Sequence, residues 1–161
     1  MRVSTIRAYI DLMKLRVVEL LVITTVPAVV LAEGGFPSLS LLAWTLLGGT
    51  LAAGSANAFN MVIESERDKL MKRTAKRPLV TGAVTRIQAT IFAFAIGSLS
   101  LAIFYIFTTP LATLLTAIAI AYYVLIYTIA LKPNTSQNIV WGGAAGCMPV
   151  LIGWAAVTNS L

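Results

Sequence analysis

A chain of 161 residues that is 58% hydrophobic and only 11% charged departs in both directions from soluble domains, which carry about 25% charged and about 45–50% apolar residues. So short a chain has too little interior to hide that much apolar surface, which excludes an ordinary soluble domain and makes lipid the expected solvent. The balance of twelve Lys and Arg against six Asp and Glu gives +6, and there is no histidine, which removes the commonest metal and haem ligand and the usual general base.

In chain order, residues Met1 to Arg16 are mixed polar and apolar, with Asp11 among them and no small-residue cleavage site after a short apolar core. The first hydrophobic segment is therefore expected to be retained. Five segments approach the roughly 20 residues needed to cross a bilayer: Val17 to Ala32, Leu39 to Ile63, Ile87 to Phe107, Leu111 to Leu131 and Asn138 to Val157. Helices are predicted, because a helix satisfies its own backbone hydrogen bonds in lipid. The expected fold is all-α, a polytopic transmembrane bundle of five helices in one domain over residues 1–161. The connections near Glu33 to Pro37, Thr108 to Pro110 and Lys132 to Gln137 are short. The stretch from Glu64 to Arg86 is long and dense in charge.

The cations set the orientation. Arg2, Arg7, Lys14 and Arg16 precede the first span. Arg67, Lys69, Lys72, Arg73, Lys76, Arg77 and Arg86 lie between the second and third, and Lys132 lies between the fourth and fifth. With five spans all of them fall on one side, and the positive-inside rule makes that side, and the N-terminus, cytoplasmic. The positive charge thus needs no nucleic-acid partner.

The segment from Asn57 to Asp68 carries the chemistry. If the second helix continues past Ile63, Asn57, Asn60, Glu64 and Asp68 fall within an arc of about 80°, and Glu64 and Asp68 lie about 6 Å apart along the axis. Glu66 points the opposite way. Two carboxylates and an amide are hard oxygen ligands of the kind Mg²⁺ takes, usually one or two carboxylates with substrate phosphates completing the shell. The basic cluster Lys69, Lys72, Arg73, Lys76 and Arg77 follows directly, and arginine offers a planar fork for phosphate oxygens. A Mg²⁺–diphosphate with an apolar tail among the helices fits that arrangement. Charges at the cytoplasmic end of a transmembrane helix are also ordinary topology.

The order Asn60, Glu64, Asp68, Met71, Arg73, Thr74, Arg77 and Gly82 resembles the signature of the UbiA superfamily of intramembrane prenyltransferases. Arg67 stands where an apolar residue is usual. The stretch from Thr135 to Pro149, continuing to Thr158, and Lys14 to Leu21 are similar to the protoheme IX farnesyltransferase (haem O synthase) branch, with Leu15 and Val150 where that branch often has Pro. The resemblance runs from about Tyr9 to the end. It implies a bundle of about nine helices in a bacterial or archaeal cell (inner) membrane, of which this chain is the first part. The implied reaction transfers farnesyl from farnesyl diphosphate to a vinyl group of haem b, with haem as substrate and not as prosthetic group. Asn60, Glu64 and Asp68 would hold Mg²⁺ and act catalytically. Arg73 and Arg77 would bind diphosphate, with Lys72 and Lys76 beside them. The superfamily's second acidic motif is not among the six acidic residues, so the chain is expected to be incomplete alone, with a further half or partner chain supplying the rest. An aromatic quinone-precursor acceptor and a non-catalytic bundle subunit are the rival readings.

Several other residues have two readings each. Glu19 is an interfacial carboxylate or a cavity residue. Asn138 is a helix cap or a site residue, and Asn57 is a possible cavity residue. Tyr122, Tyr123 and Tyr127 line a cavity or pack at the interface. Gly142 with Gly146, and Gly143 and Gly153, are expected to allow close helix packing. Cys147, the single cysteine, and Met148 are expected to pack and not to ligate haem iron.

Overall fold

The structure, a computed structural model, describes residues 5–161. Arg2, counted among the cytoplasmic cations, lies outside the described residues. Helix α1 (Thr5–Met13) is short and buries Ala8 and Leu12. The chain then breaks at Lys14, whose φ of 52° is left-handed, a conformation rare outside glycine, Asn and Asp. Helix α2 (Leu15–Glu33) ends at Gly34, with φ 70° and a hydrogen bond from the Gly35 amide to the Val30 carbonyl at 3.3 Å. Bonds of that pattern satisfy the last carbonyls of a helix, and glycine supplies the left-handed residue without a Cβ clash.

Helix α3 (Leu39–Asp68) begins at Ser38, whose Oγ accepts from the Leu41 amide at 3.2 Å, and runs for 30 residues without a break. At 1.5 Å per residue that is about 45 Å, against about 30 Å for the hydrocarbon core. Its last turns therefore reach beyond the apolar slab. The predicted second span stops at Ile63; the helix carries on through Glu64 to Asp68, so the connecting loop is 69–85. Helix α4 (Arg86–Phe107) opens with a reciprocal cap: the Thr85 hydroxyl accepts from the Gln88 amide and the Gln88 side chain accepts from the Thr85 amide. Such a box satisfies two orphan donors at once. Helix α5 (Pro110–Ala121) continues as a π-helical segment over Tyr122–Leu131, and α6 covers Asn138–Thr158. Five helical stretches are long and apolar enough to cross a membrane: Leu15–Glu33, Leu39–Asp68, Arg86–Phe107, Pro110–Leu131 and Asn138–Thr158. They match the predicted spans.

Helix α3 is the centre of the bundle and touches every other helix. Its approach to α4 depends on small residues. A Cβ on Gly48 would lie 2.8 Å from the Phe104 ring, and one on Gly97 would lie 2.6 Å from Ser55 Oγ. The Ser55 hydroxyl donates to the Ala93 carbonyl at 2.8 Å and Ser100 to the Gly48 carbonyl at 2.7 Å. Small residues and interhelical hydrogen bonds are what hold helices together where lipid removes the hydrophobic drive. On α6, Gly153 packs against Thr25 and Val29 and Gly142 against the Tyr127 ring, as close packing requires. Gly143 and Gly146 differ from expectation: a Cβ at either would meet open space. Ile23, Leu31, Ile91, Phe94 and Tyr105 face outward and are more than half exposed, a surface suited to lipid and not to water.

Candidate active site

The stripe forms because α3 stays helical to Asp68. Asn57, Asn60, Glu64 and Asp68 share one face and are all buried; Asn60 and Asp68 keep only 1% of their surface. The two carboxylates converge on one guanidinium: Arg77 Nη1 donates to Asp68 Oδ2 and lies 3.8 Å from Glu64 Oε2. Lys132 pairs with Glu64 Oε1 from the other side. The Lys14 ammonium donates to Asn60 Oδ1 at 2.8 Å, and Asn60 Nδ2 donates to Thr128 Oγ1 at 3.2 Å. Asn57 Nδ2 donates to the Met13 carbonyl at 3.0 Å, at the end of α1.

The loop is folded so that Arg77 reaches back to the helix that precedes it. A 3₁₀ turn at Lys72–Thr74 carries Thr74, whose buried hydroxyl donates to the Asp68 carbonyl at 2.6 Å. Gly82, at φ 74°, takes the left-handed position that lets the Ala83 amide bond to the Pro78 carbonyl at 2.9 Å, the kind of turn that favours glycine.

Of the predicted cations, Arg77 meets the acids. Lys72, Arg73 and Lys76 are exposed and, among the described residues, none is ion-paired to Glu64 or Asp68. Lys69 pairs outward with Glu66 at 2.9 Å, in keeping with Glu66 facing away. Two cations of the site escaped the sequence reading, Lys14 and Lys132. Burial pushes the Lys14 ammonium down to about 8, and repulsion from Arg77 and then Lys132 adds to this, against the pull of Glu64 and Asp68.

Two features bear on a metal. Asp68 Oδ1 is buried with no hydrogen-bond partner, the one such side-chain atom among the described residues, and an orphaned carboxylate oxygen is expensive unless something comes to it. No group of three or more His, Cys, Asp and Glu able to hold a metal occurs among the described residues. The donor set is two carboxylates and one amide. That set fits Mg²⁺, which keeps waters and relies on phosphate oxygens, and falls short of a closed protein cage.

Below the stripe the same face of α3 turns apolar. A cavity of about 260 Å³ lies between α2, α3, the α5 segment and α6, with Asn57 and Tyr123 at its stripe end and Thr45, Phe104 and Ile152 at the other. Its threonine hydroxyls are turned inward to their own helices: Thr25 donates to the Leu21 carbonyl and Thr45 to the Leu41 carbonyl, both at 2.8 Å. Tyr123 and Met148 line this cavity. The Tyr122 hydroxyl donates to the Trp141 carbonyl at 2.8 Å, and the Tyr127 ring lies 5.9 Å from the Lys132 ammonium. Glu19 is exposed, outside this cavity. Asn138 Nδ2 donates to the Thr135 carbonyl at 2.6 Å at the start of α6, as a residue tying the loop does. Cys147 is exposed.

Fold and site together define a helical membrane bundle with a charged polar stripe at the mouth of an apolar cavity. The UbiA prenyltransferase family matches residues 21–161, and the chain belongs to that family. It is an integral, multi-pass membrane protein. It is 56% identical to a protoheme IX farnesyltransferase of Renibacterium salmoninarum over 155 residues, covering 96% of this chain and 49% of the relative. It is 55% identical to that of Paenarthrobacter aurescens, covering 96% and 48%. The chain thus spans about half the length of the curated relatives it matches. Two solved structures of a UbiA homologue from Archaeoglobus fulgidus, one bound to DMAPP and Mg²⁺ and one to GPP and Mg²⁺, share its fold. Each has a TM-score of 0.73 at 20% identity; they cover 95% and 96% of this chain and 55% of the homologue.

Proposed function

We propose that this chain forms the prenyl-donor half of a Mg²⁺-dependent prenyltransferase, which moves farnesyl from farnesyl diphosphate to a vinyl group of haem b, with diphosphate leaving and water adding to the resulting carbocation with loss of a proton, to give haem O. The observation that carries this reading is the convergence of Glu64, Asp68, Arg77 and Lys132 at the mouth of an apolar cavity. Anionic head and apolar tail of a prenyl diphosphate have matching surroundings there. The names of the 56% and 55% identical relatives support the acceptor. The prenyl diphosphates and Mg²⁺ bound by the Archaeoglobus homologue support the donor.

Asn60, Glu64 and Asp68 would hold Mg²⁺, with the orphaned Asp68 Oδ1 as a free ligand atom. When bound, Mg²⁺ supplies positive charge to the diphosphate oxygens as the bond to the prenyl carbon breaks. Arg77, Lys132 and Lys14 hold the diphosphate and offset the charge that develops on it, a stabilisation strongest in a site shielded from water. Lys72, Arg73 and Lys76, exposed on the loop, draw the anion to the site. Asn57 and Thr128 hold Lys14's neighbourhood and Asn60 in position. The cavity keeps water from the allylic carbon. The cation-rich side, with the N-terminus, faces the cytoplasm of the cell membrane. The second acidic motif that the family resemblance implies, absent from the acidic residues of this chain, would complete the site together with the acceptor's share.

The test is haem O formation from farnesyl diphosphate and haem b by the protein as expressed from its gene. Glu64→Gln and Asp68→Asn are expected to abolish turnover and leave membrane insertion intact. Normal haem O production by the doubly neutralised variant would sink the site. A prenylated aromatic product in place of haem O would overturn the acceptor.

A further inference from the structure

We infer that the apolar cavity is a gauge of tail length, with Phe104 as its floor and Gly49 as the gap that admits the last five-carbon unit. The inference rests on the prenyl-donor reading above and adds to it which tails the site accepts.

The floor is fixed by packing. Phe104 is fully buried and stands against Gly48, where even a Cβ would lie 2.8 Å from the ring. The ring is therefore held between α3 and α4 and closes the end of the cavity it lines. The gap is equally specific. Gly49 lines the same cavity, and a Cβ there would meet nothing within 4 Å. On α6, Gly146 lines the same cavity with the same open space. Two glycines that face a void instead of a neighbour mark volume kept free, whereas Gly48, Gly97 and Gly153 serve close packing.

Depth follows from helix geometry. From Asn57, at the stripe end of the cavity, to Thr45, at the other, is twelve residues of α3, or about 18 Å. An extended chain advances about 1.2 Å per bond, so a five-carbon prenyl unit of four chain bonds spans about 5 Å by the same rise. Three units, about 15 Å, fit that length and a fourth, reaching about 20 Å, presses on the end that Phe104 closes with Thr45 and Ile152. The cavity's threonine hydroxyls are bonded to their own helices and no charged side chain lines it. A tail without polar atoms suits it, and a porphyrin with two carboxylates would leave both unpaired.

The experiment measures Mg²⁺-dependent binding of dimethylallyl, geranyl, farnesyl and geranylgeranyl diphosphates to the protein as expressed from its gene, in lipid nanodiscs. The wild type is expected to gain affinity with each unit up to farnesyl and no further. Phe104→Ala should raise the geranylgeranyl-to-farnesyl affinity ratio at least tenfold. Gly49→Leu, whose Cβ enters open space and whose branch reaches into the cavity Gly49 lines, should lower farnesyl affinity at least tenfold relative to dimethylallyl. Phe104→Leu, a milder change, should shift the ratio in the same direction as Phe104→Ala. Binding of every tail with a length profile untouched by Gly49→Leu and Phe104→Leu overturns the gauge and leaves the donor reading standing. Absence of Mg²⁺-dependent binding at every length in the wild type overturns the donor reading and the gauge with it.

Discussion

Arg77 is the hub of the polar site, and its energetic weight can be worked out from what it touches. Asp68 keeps 2% of its side-chain surface and Arg77 18%. Truncating one partner of a buried pair costs about 3–5 kcal/mol, because a charge is left in a poor solvent. Some solvent reaches Arg77, so Arg77→Ala belongs at the low end, about 3 kcal/mol. Asp68→Asn is milder. It keeps the shape, and Arg77 still has Glu64 at 3.8 Å; losing one hydrogen bond between charged groups costs about 2 kcal/mol. In the double variant no lone Asp68 charge remains, so the total should be near 3 kcal/mol, with a coupling of about 2 kcal/mol between the sites. Equilibrium unfolding in mixed detergent micelles, read by circular dichroism for the four proteins of the cycle, measures that coupling. Additivity to within about 0.5 kcal/mol, as for independent sites, would refute the shared ion pair and with it the placement of Arg77 over both acids.

Further outcomes follow from the same geometry. Lys132→Ala should weaken Mg²⁺–pyrophosphate binding by about tenfold, since a charge-assisted hydrogen bond is worth about 1.5–3 kcal/mol. Alanine at all three of Lys72, Arg73 and Lys76 should weaken it less, and by an amount that fades as salt rises; calorimetry at two ionic strengths checks the order, and the reverse order counts against the assignment. Gly97→Val should destabilise the bundle by about 2 kcal/mol through overpacking, because its Cβ would lie 2.6 Å from Ser55 Oγ and break into the bond from Ser55 to Ala93. Gly143→Ala, inside α6 with its Cβ in open space, should raise stability by about 0.5–1 kcal/mol in the same unfolding assay, the gain in helix preference over glycine.

The parts of this architecture that were legible in the sequence are those governed by local periodicity. Runs of apolar residues of bilayer length predict the five spans, and the spacing of Asn57, Asn60, Glu64 and Asp68 places them on one face once the helix is taken to continue. Long-range placement was not legible. Lys14 and Lys132 stand 46 residues before Asn60 and 68 residues after Glu64 respectively, and both converge on the stripe. The clue available was that every cation fell at one end of the bundle. Charge counting cannot distinguish a lysine aimed inward from one in the lipid headgroups. Within the basic cluster, composition treats Lys72, Arg73, Lys76 and Arg77 alike, and only the turn through Thr74 and Gly82 selects Arg77. The glycines make the same point: Gly142 and Gly146 share a spacing, yet one touches Tyr127 and the other borders a void.

The least legible element is the one that completes the site. Over Tyr122–Leu131 the chain winds as a π-helix. Thr128 Oγ1 donates to the carbonyl five residues back, on Tyr123, at 2.8 Å, and the Lys132 amide to that of Tyr127 at 2.9 Å. Nothing in an apolar run such as Tyr-Tyr-Val-Leu-Ile-Tyr-Thr-Ile-Ala-Leu distinguishes this from an ordinary helix. The wider turn changes the direction of every later side chain, and by its end Thr128 accepts from Asn60 and Lys132 reaches Glu64. Such windings are rare and occur frequently at functional sites. Here the reason is visible in the contacts: α3 can carry the acids and the amide on one straight face, but the cation and hydroxyl that meet them come from a neighbouring span. That span reaches both Asn60 and Glu64, two positions about 6 Å apart along α3, from residues four apart in its own chain. Residues four apart share a face in an α-helix too, so the effect of the π winding is the rotation accumulated over Tyr122–Leu131, which sets the face that Thr128 and Lys132 present to α3 although no local pattern in the sequence joins them.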